Sequence, residues 1–537
     1  MPNDTVDIAI VGAGVSGVYT AWRLKEHDPT QKIVVYESSD HIGGRLLSLR
    51  PPEIPNMVAE LGGMRILPAV QPLIKSLIVK LNKKLPCAER IDLYDFPVDQ
   101  PQNLAYLRGT YLRLSDFEQH PEKVPYSVTY LERGMTAGKL IINAIEQIVP
   151  GITRADLSEE DRRVMARDAE FGGVKLYKQG FWNVLMRIIS GEGYLLGIDA
   201  GGYNSTLSNW NAADAIPWFL SDFGVNAKYQ GFRKGFQQVP LSLAKLFKDL
   251  GGEVYLDRPL VGFDQKEGEY ELTFKDQPPV RAKALILAMP RRSLELIAPK
   301  SPPLQGDQLS EWIRSVTPRP LFKLFTTYAN PWWRAAGFYK GNDFVPVEAG
   351  RTVTDLPVRQ TYYWPKDDGT PAQTGPSMLM ASYDDGTNIG FWDGLRRRRG
   401  LPRKDVPDDP VYADFEGPGD KAEVTSCPGS DDWHKHRAPK RMVLEVARQL
   451  ATIHGLSHTP DVRSAAYRDW GDDPFGGGWN SWNIGVRSKV VKQQIVQPFP
   501  GERFHICGEA YSDAQGWVEG ALQTADMVLQ KFGLGSL

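Results

Sequence analysis

Three glycines and an acid carry the first recognisable chemistry in this chain. Gly12-Ala13-Gly14-Val15-Ser16-Gly17 reads G-x-G-x-x-G directly after the apolar run Val6–Val11, and a helical pattern (Val18, Ala21, Trp22, Leu24) follows. In such a unit the first glycine permits a tight turn and the second lets backbone approach a pyrophosphate. The third lets the helix pack closely on the strand, and phosphates sit at the helix N-terminus. A second apolar strand, Val34-Val35-Tyr36, ends in Glu37, twenty residues after Gly17, where a carboxylate can accept hydrogen bonds from ribose hydroxyls. The unit predicts a dinucleotide site built on Gly12, Ala13, Gly14, Ser16, Gly17 and Glu37.

Two further clusters, Gly43-Gly44-Arg45 and Glu60-Leu61-Gly62-Gly63-Met64-Arg65, narrow the choice of dinucleotide. A nicotinamide rarely needs two more glycine-rich backbone approaches so soon. A flavin does, because its ring system and pyrophosphate press against backbone along their length.

With these motifs and a C-terminal run from Gly508-Glu509 through Gly516-Trp517-Val518 to Gly520, the chain resembles the flavin amine oxidase family. Within that family it is most similar to the L-amino acid oxidases, over residues 6 to 520. The resemblance implies an α/β fold: a Rossmann-type, glutathione-reductase-like FAD-binding domain, an α+β substrate domain and a helical lobe. It implies contacts to FAD from Gly44, Arg45, Gly62, Gly63, Met64, Arg65, Val261, Trp470, Gly508, Glu509, Trp517 and Val518. In the family, the glutamate at the position of Glu509 bonds the ribityl or pyrophosphate part, and the Gly516-Trp517 pair lies beside the ring. No Cys or His falls in a flavin-linking motif, so the FAD is expected to be noncovalent.

Oxidation of an α-amino acid requires a grip on its carboxylate, Cα–H placed over flavin N5, and a neutral amine at transfer. A buried arginine suits the first task, since its planar fork matches a carboxylate and each charge-assisted hydrogen bond contributes roughly 1.5–3 kcal/mol. The family places that arginine at Arg65. A tyrosine completes the grip, and the segment Met378–Tyr383 resembles the strand that bears it, which selects Tyr383 over Tyr362 and Tyr363. Lys323, flanked by Phe322 and Leu324, would be costly if buried unpaired. The resemblance gives it the task of holding a water against flavin N5 and assisting reaction with dioxygen. Trp470, Trp479, Gly516 and Trp517 are the expected walls of the ring and substrate pocket. Several relatives carry a histidine base in the helical lobe, but here no histidine lies between His120 and His434.

The implied reaction takes an L-amino acid and dioxygen to a 2-oxo acid, ammonia and hydrogen peroxide. The bulky, aromatic pocket candidates point to large apolar or aromatic substrates. The rivals are an amine or polyamine oxidase, a flavin monooxygenase acting on amino acids, and a nicotinamide-dependent dehydrogenase.

The elements that must position these residues follow from hydrophobic periodicity. A chain of 537 residues exceeds one core. The FAD-binding domain is expected to be discontinuous, from residues 1–65, 231–300 and 491–537. Residues 66–111 and 301–490 should form the substrate domain, and 112–230 the helical lobe. Ala284–Met289, a continuous apolar run ended by Pro290, reads as a buried parallel strand. The Arg396–Cys427 stretch, charged and rich in Pro and Gly, reads as a surface excursion. With 63 basic and 65 acidic residues, nothing suggests nucleic acid or anionic membrane as a partner. No apolar run reaches the roughly 20 residues of a membrane span. Three scattered cysteines argue against disulfides or a metal site. The acidic start lacks a signal-peptide pattern, so a cytoplasmic location is the expectation; a homodimer is expected as well.

Overall fold

Both faces of the Val6–Val11 strand are covered, and its apolar run Ile8–Val11 suits a parallel strand packed on both sides. In the computed structural model, which describes residues 5–224, 227–335, 346–396, 413–421 and 430–537, this strand is central to a seven-stranded sheet. Ile33–Tyr36 and Val280–Ala288 flank it in parallel, and Glu253–Tyr255 extends the Ile33 side. The outer edge of Val280–Ala288 is shared. Its first residues pair antiparallel with Glu269–Phe274, and its last four pair in parallel with Phe504–Cys507. Segments from the beginning, middle and end of the chain therefore meet in one sheet. Helix Val15–His27 packs on one face between Gln238–Asp249 and Val518–Lys531.

A second seven-stranded sheet is mostly antiparallel, in the order Ser464–Asp469, Phe322–Tyr328, Ser377–Asp384, Gln360–Tyr363, Gly350–Thr354, Leu104–Leu107 and Thr110–Arg113. Phe322–Tyr328 is an interior strand, buried at every residue. Residues opposite one another in such a ladder share a face. Lys323 is opposite Tyr383, so the register itself places these two side chains together.

The third unit is helical: Ala137–Ile148, Glu159–Asp168, Gly191–Gly201 and Ala212–Phe223 close around their own apolar cluster. Its helix starts are defined by side-chain caps. Ser158 and Asp161 form a capping box, and Asn211 accepts the Ala213 N–H at 3.1 Å. Among the described residues no helix is long and apolar enough to cross a membrane, and no cluster of potential metal ligands occurs. Most of the Arg396–Cys427 excursion lies outside the described residues.

Candidate active site

Backbone builds one end of the site. Gly12 has φ +110°, in the region that favours glycine, and a Cβ on Gly17 would collide with the Gly12 carbonyl oxygen. That contact lets the Val15–His27 helix start hard against the strand. Gly43 N–H donates to the Ala13 carbonyl at 3.0 Å, and a Cβ on Gly44 would come within 3.2 Å of the Gly14 Cα. The two glycine loops thus face each other, leaving bare backbone toward a cavity of about 430 Å³. Gly12, Gly14 and Ser16 line it, with Gly44, Arg45 and Gly62 further along. Glu37 lines it too. Its Oε1 accepts from Ser39 N–H at 2.9 Å and its Oε2 from Ala13 N–H at 2.7 Å, which leaves Oε2 a further lone pair. A carboxylate, glycine backbone and a helix N-terminus in this order fit the ribose and pyrophosphate of FAD.

Glu509 organises the middle of the site. It pairs with Arg45 at 2.9 Å and accepts Asn480 N–H and Nδ2 at 3.0 Å each and Gly516 N–H at 2.6 Å. Four donors fill about the four acceptor positions of a carboxylate. Glu509, expected from the family to bond the cofactor, lines the cavity and also has a structural task. Glu509 holds Arg45 and the Gly516 turn in place, and both line the cavity.

Side chains build the other end. Lys323 is 1% exposed and donates to the carbonyls of Gly62 at 2.5 Å and Glu60 at 3.1 Å. Its ammonium lies 4.9 Å from the Tyr383 ring centre. Burial pushes the Lys323 amine well below the usual lysine range, with the buried Glu60 opposing. Arg65 is 6% exposed and donates to the Tyr362 hydroxyl at 3.2 Å and the Tyr203 hydroxyl at 3.3 Å, with its guanidinium 4.0 Å above the Tyr229 ring. Among the described residues it makes no salt bridge. Trp470 donates to the Leu61 carbonyl at 2.7 Å, and Trp479 stacks on Trp218 at 5.4 Å.

Most predicted residues converge. Gly62, Gly63, Met64, Arg65, Lys323 and Tyr383 line the one cavity, and so do Trp470, Trp479, Gly508, Gly516, Trp517 and Val518. Three do not line it. Ala13 acts through its N–H on Glu37, Gly17 through close packing, and Val261 gives way to its neighbours Arg258, Pro259 and Leu260. Val261 is half-buried in the strand Leu260–Lys266, beside Leu260, which does line the cavity.

Tyr362 is buried in an apolar cluster and its hydroxyl accepts from Arg65, which lines the cavity, while Tyr363 bonds His454 at 2.8 Å in the core. Tyr203, Trp218, Asp222 and Phe223, all from the helical lobe, are cavity residues that sequence reasoning missed. The one available signal was Asp222, an acid in the apolar helix end Trp218-Phe219-Leu220-Ser221-Asp222-Phe223. A second cavity of about 810 Å³, between the helical lobe and the second sheet, meets the first at Arg65, Tyr203, Thr206, Asp222 and Phe223.

Known proteins share this architecture. The family model for flavin-containing amine oxidoreductases matches residues 15–401 and 390–528. Aplysianin-A of Aplysia kurodai is 26% identical, covering 99% of this chain and 91% of its own length. L-amino acid oxidase Lm29 of Lachesis muta is 22% identical, covering 96% and 85%. A solved structure of putrescine oxidase bound to putrescine superposes with a TM-score of 0.64 at 16% identity, over 99% of this chain and all of that one. The glycine cradle, the Glu509–Arg45 pair and the family match agree: this chain is a member of the flavin-containing amine oxidoreductase family, and its cofactor is FAD.

Proposed function

We propose that the protein oxidises L-amino acids to 2-oxo acids, with ammonia and hydrogen peroxide as the other products. The observation that carries this reading is Arg65. It is a buried guanidinium, oriented by the Tyr203 and Tyr362 hydroxyls, with no salt bridge among the described residues. Asp222 acts on this charge through space without bonding it, and an incoming α-carboxylate offsets the cost of burial with bidentate hydrogen bonds. An amine substrate would bring a second positive charge to the same place.

Bound FAD would supply the two-electron chemistry, hydride acceptance from the substrate carbon and reoxidation by dioxygen. The chain supplies the rest. Arg65 holds the carboxylate, and Tyr383, on the cavity wall beside Lys323, is the hydroxyl partner for the second oxygen. Lys323 uses two donors on backbone carbonyls and has a third to hold water at the reaction centre. Trp470, Trp479 and Trp517 exclude bulk solvent and suit long or bulky side chains. Orientation of this kind is the main lever a protein has on a cofactor reaction.

The test is anaerobic mixing of the purified yellow protein with L-amino acids and, separately, with their decarboxylated amines, followed by air. Bleaching by amino acids alone, with peroxide on reoxidation, is expected. Bleaching by amines alone would overturn the assignment of Arg65.

A further inference from the structure

Asp222 is a buried charge that the proposed reaction leaves unused. It is the penultimate residue of helix Ala212–Phe223, is 6% exposed, and lines both cavities at their junction. Its Oδ1 is 3.2 Å from the Tyr229 hydroxyl, but that hydroxyl has a nearer acceptor, the Asp222 carbonyl, at 2.6 Å. Among the described residues no lysine or arginine pairs with it directly.

The other acids of the cavity are already engaged. Asp385 takes the Asn204 and Ser205 N–H groups and the Ser205 hydroxyl. Glu509 is filled as described above, and Glu37 takes the Ala13 and Ser39 N–H groups at the opposite end of the cavity. A carboxylate offers about four acceptor positions, and the protein fills almost none of those on Asp222.

Aromatic residues line the same cavity as this carboxylate. Phe223 is 5.5 Å from Tyr203 and 6.1 Å from Trp218, which stacks on Trp479. Aromatic faces leading to a carboxylate form a receptor for an organic cation. Methylenes lie along the rings, the faces attract positive charge, and the ammonium meets the acid. An uncharged side chain would satisfy the rings and leave the acid desolvated without a partner.

Tyr229 sets the spacing of the two charges. Its ring lies under the Arg65 guanidinium and its hydroxyl bonds Asp222. One positive and one negative group at the junction match a molecule with a carboxylate at one end and an ammonium at the other.

We propose that Asp222 binds the side-chain ammonium of the substrate, so that the preferred substrates are long-chain cationic L-amino acids of the lysine type. This rests on the reading of Arg65 as the carboxylate holder and replaces the apolar preference expected from the aromatic walls.

The test compares kcat/KM for L-lysine and for L-norleucine, which has a similar chain without the charge. It also compares inhibition by 6-aminohexanoate and hexanoate, which lack the α-amine. In the unmodified protein lysine should exceed norleucine by about 10- to 100-fold, the scale of one charge-assisted bond, and 6-aminohexanoate should inhibit more tightly by a similar factor. Asp222→Asn should bring both ratios close to one. Equal inhibition by the two hexanoates in the unmodified protein would overturn the proposal without any variant. So would an equal loss on lysine and norleucine in Asp222→Asn, which would assign Asp222 to the α-amine that all substrates share. If no amino acid bleaches the flavin, the oxidase reading fails instead. The hexanoate pair, followed by perturbation of the flavin spectrum, then still reports on Asp222.

Discussion

The two ends of the main cavity are made of different materials. Toward the Gly12 loop it is backbone: facing glycine loops, a helix N-terminus and one acid, nearly all within the first 65 residues. Toward Lys323 it is side chains, contributed by segments as far apart as Arg65, Tyr203, Asp222, Tyr383 and Trp517. A pyrophosphate has one shape in every flavoprotein, so a fixed backbone cradle serves it. Substrates differ, and their recognition is set by groups that can change one residue at a time without disturbing the cradle.

That contrast breaks most visibly if the cradle is filled. Gly17→Val puts branched carbon where the Gly12 carbonyl already sits, and the purified protein should carry no FAD by absorbance. A yellow Gly17→Val protein would mean that the helix can draw back without loss of the site. At the opposite end, Arg65→Ala should keep FAD and lower kcat/KM for L-amino acids by roughly 10²–10³-fold, the effect of removing one partner of a buried charge pair. An unchanged kcat/KM would place the substrate carboxylate elsewhere.

Lys323→Met sharpens the comparison from within the substrate end. It should slow reoxidation by air about 10²-fold, the scale of lost proton-transfer assistance. Anaerobic bleaching by amino acid should stay fast, and stopped-flow absorbance separates the two steps. The smallest effect is on pH. Burial raises the Asp222 carboxyl to about 6, with Arg65, Tyr229 and Arg351 opposing that rise. An acid loses its charge as pH falls through its pKa, so the lysine-to-norleucine ratio should hold at neutral pH and decline up to about tenfold below pH 6. A ratio that stays flat from pH 8 to pH 5 would show that the carboxylate charge plays no part in selection.

The same contrast explains what could be read from the sequence. Gly12, Gly14, Gly17, Glu37 and Arg45 form contiguous motifs whose spacing alone encodes a shape, and the apolar run at Ala284–Met289 announces its strand. Lys323 and Tyr383 were accessible through resemblance, and their pairing follows from the register of one ladder. Tyr203 lies 138 residues from the Arg65 it bonds, in a loop with no periodicity to mark it. Glu509 was recognised, but its saturation by Arg45, Asn480 and Gly516 depends on three approaches that no local pattern encodes. Val261 does not line the cavity while Leu260 beside it does, a difference that a motif cannot specify to the residue.

The shared edge of the Val280–Ala288 strand sets the timing of synthesis. Its last four residues pair with Phe504–Cys507, and the segment immediately after supplies Glu509, Gly516 and Trp517. A ribosome must therefore pass residue 517 before the chain owns a complete flavin site, although the glycine loop was made at least 500 residues earlier. A complete flavin site, and the yellow colour that goes with it, therefore requires synthesis past Trp517.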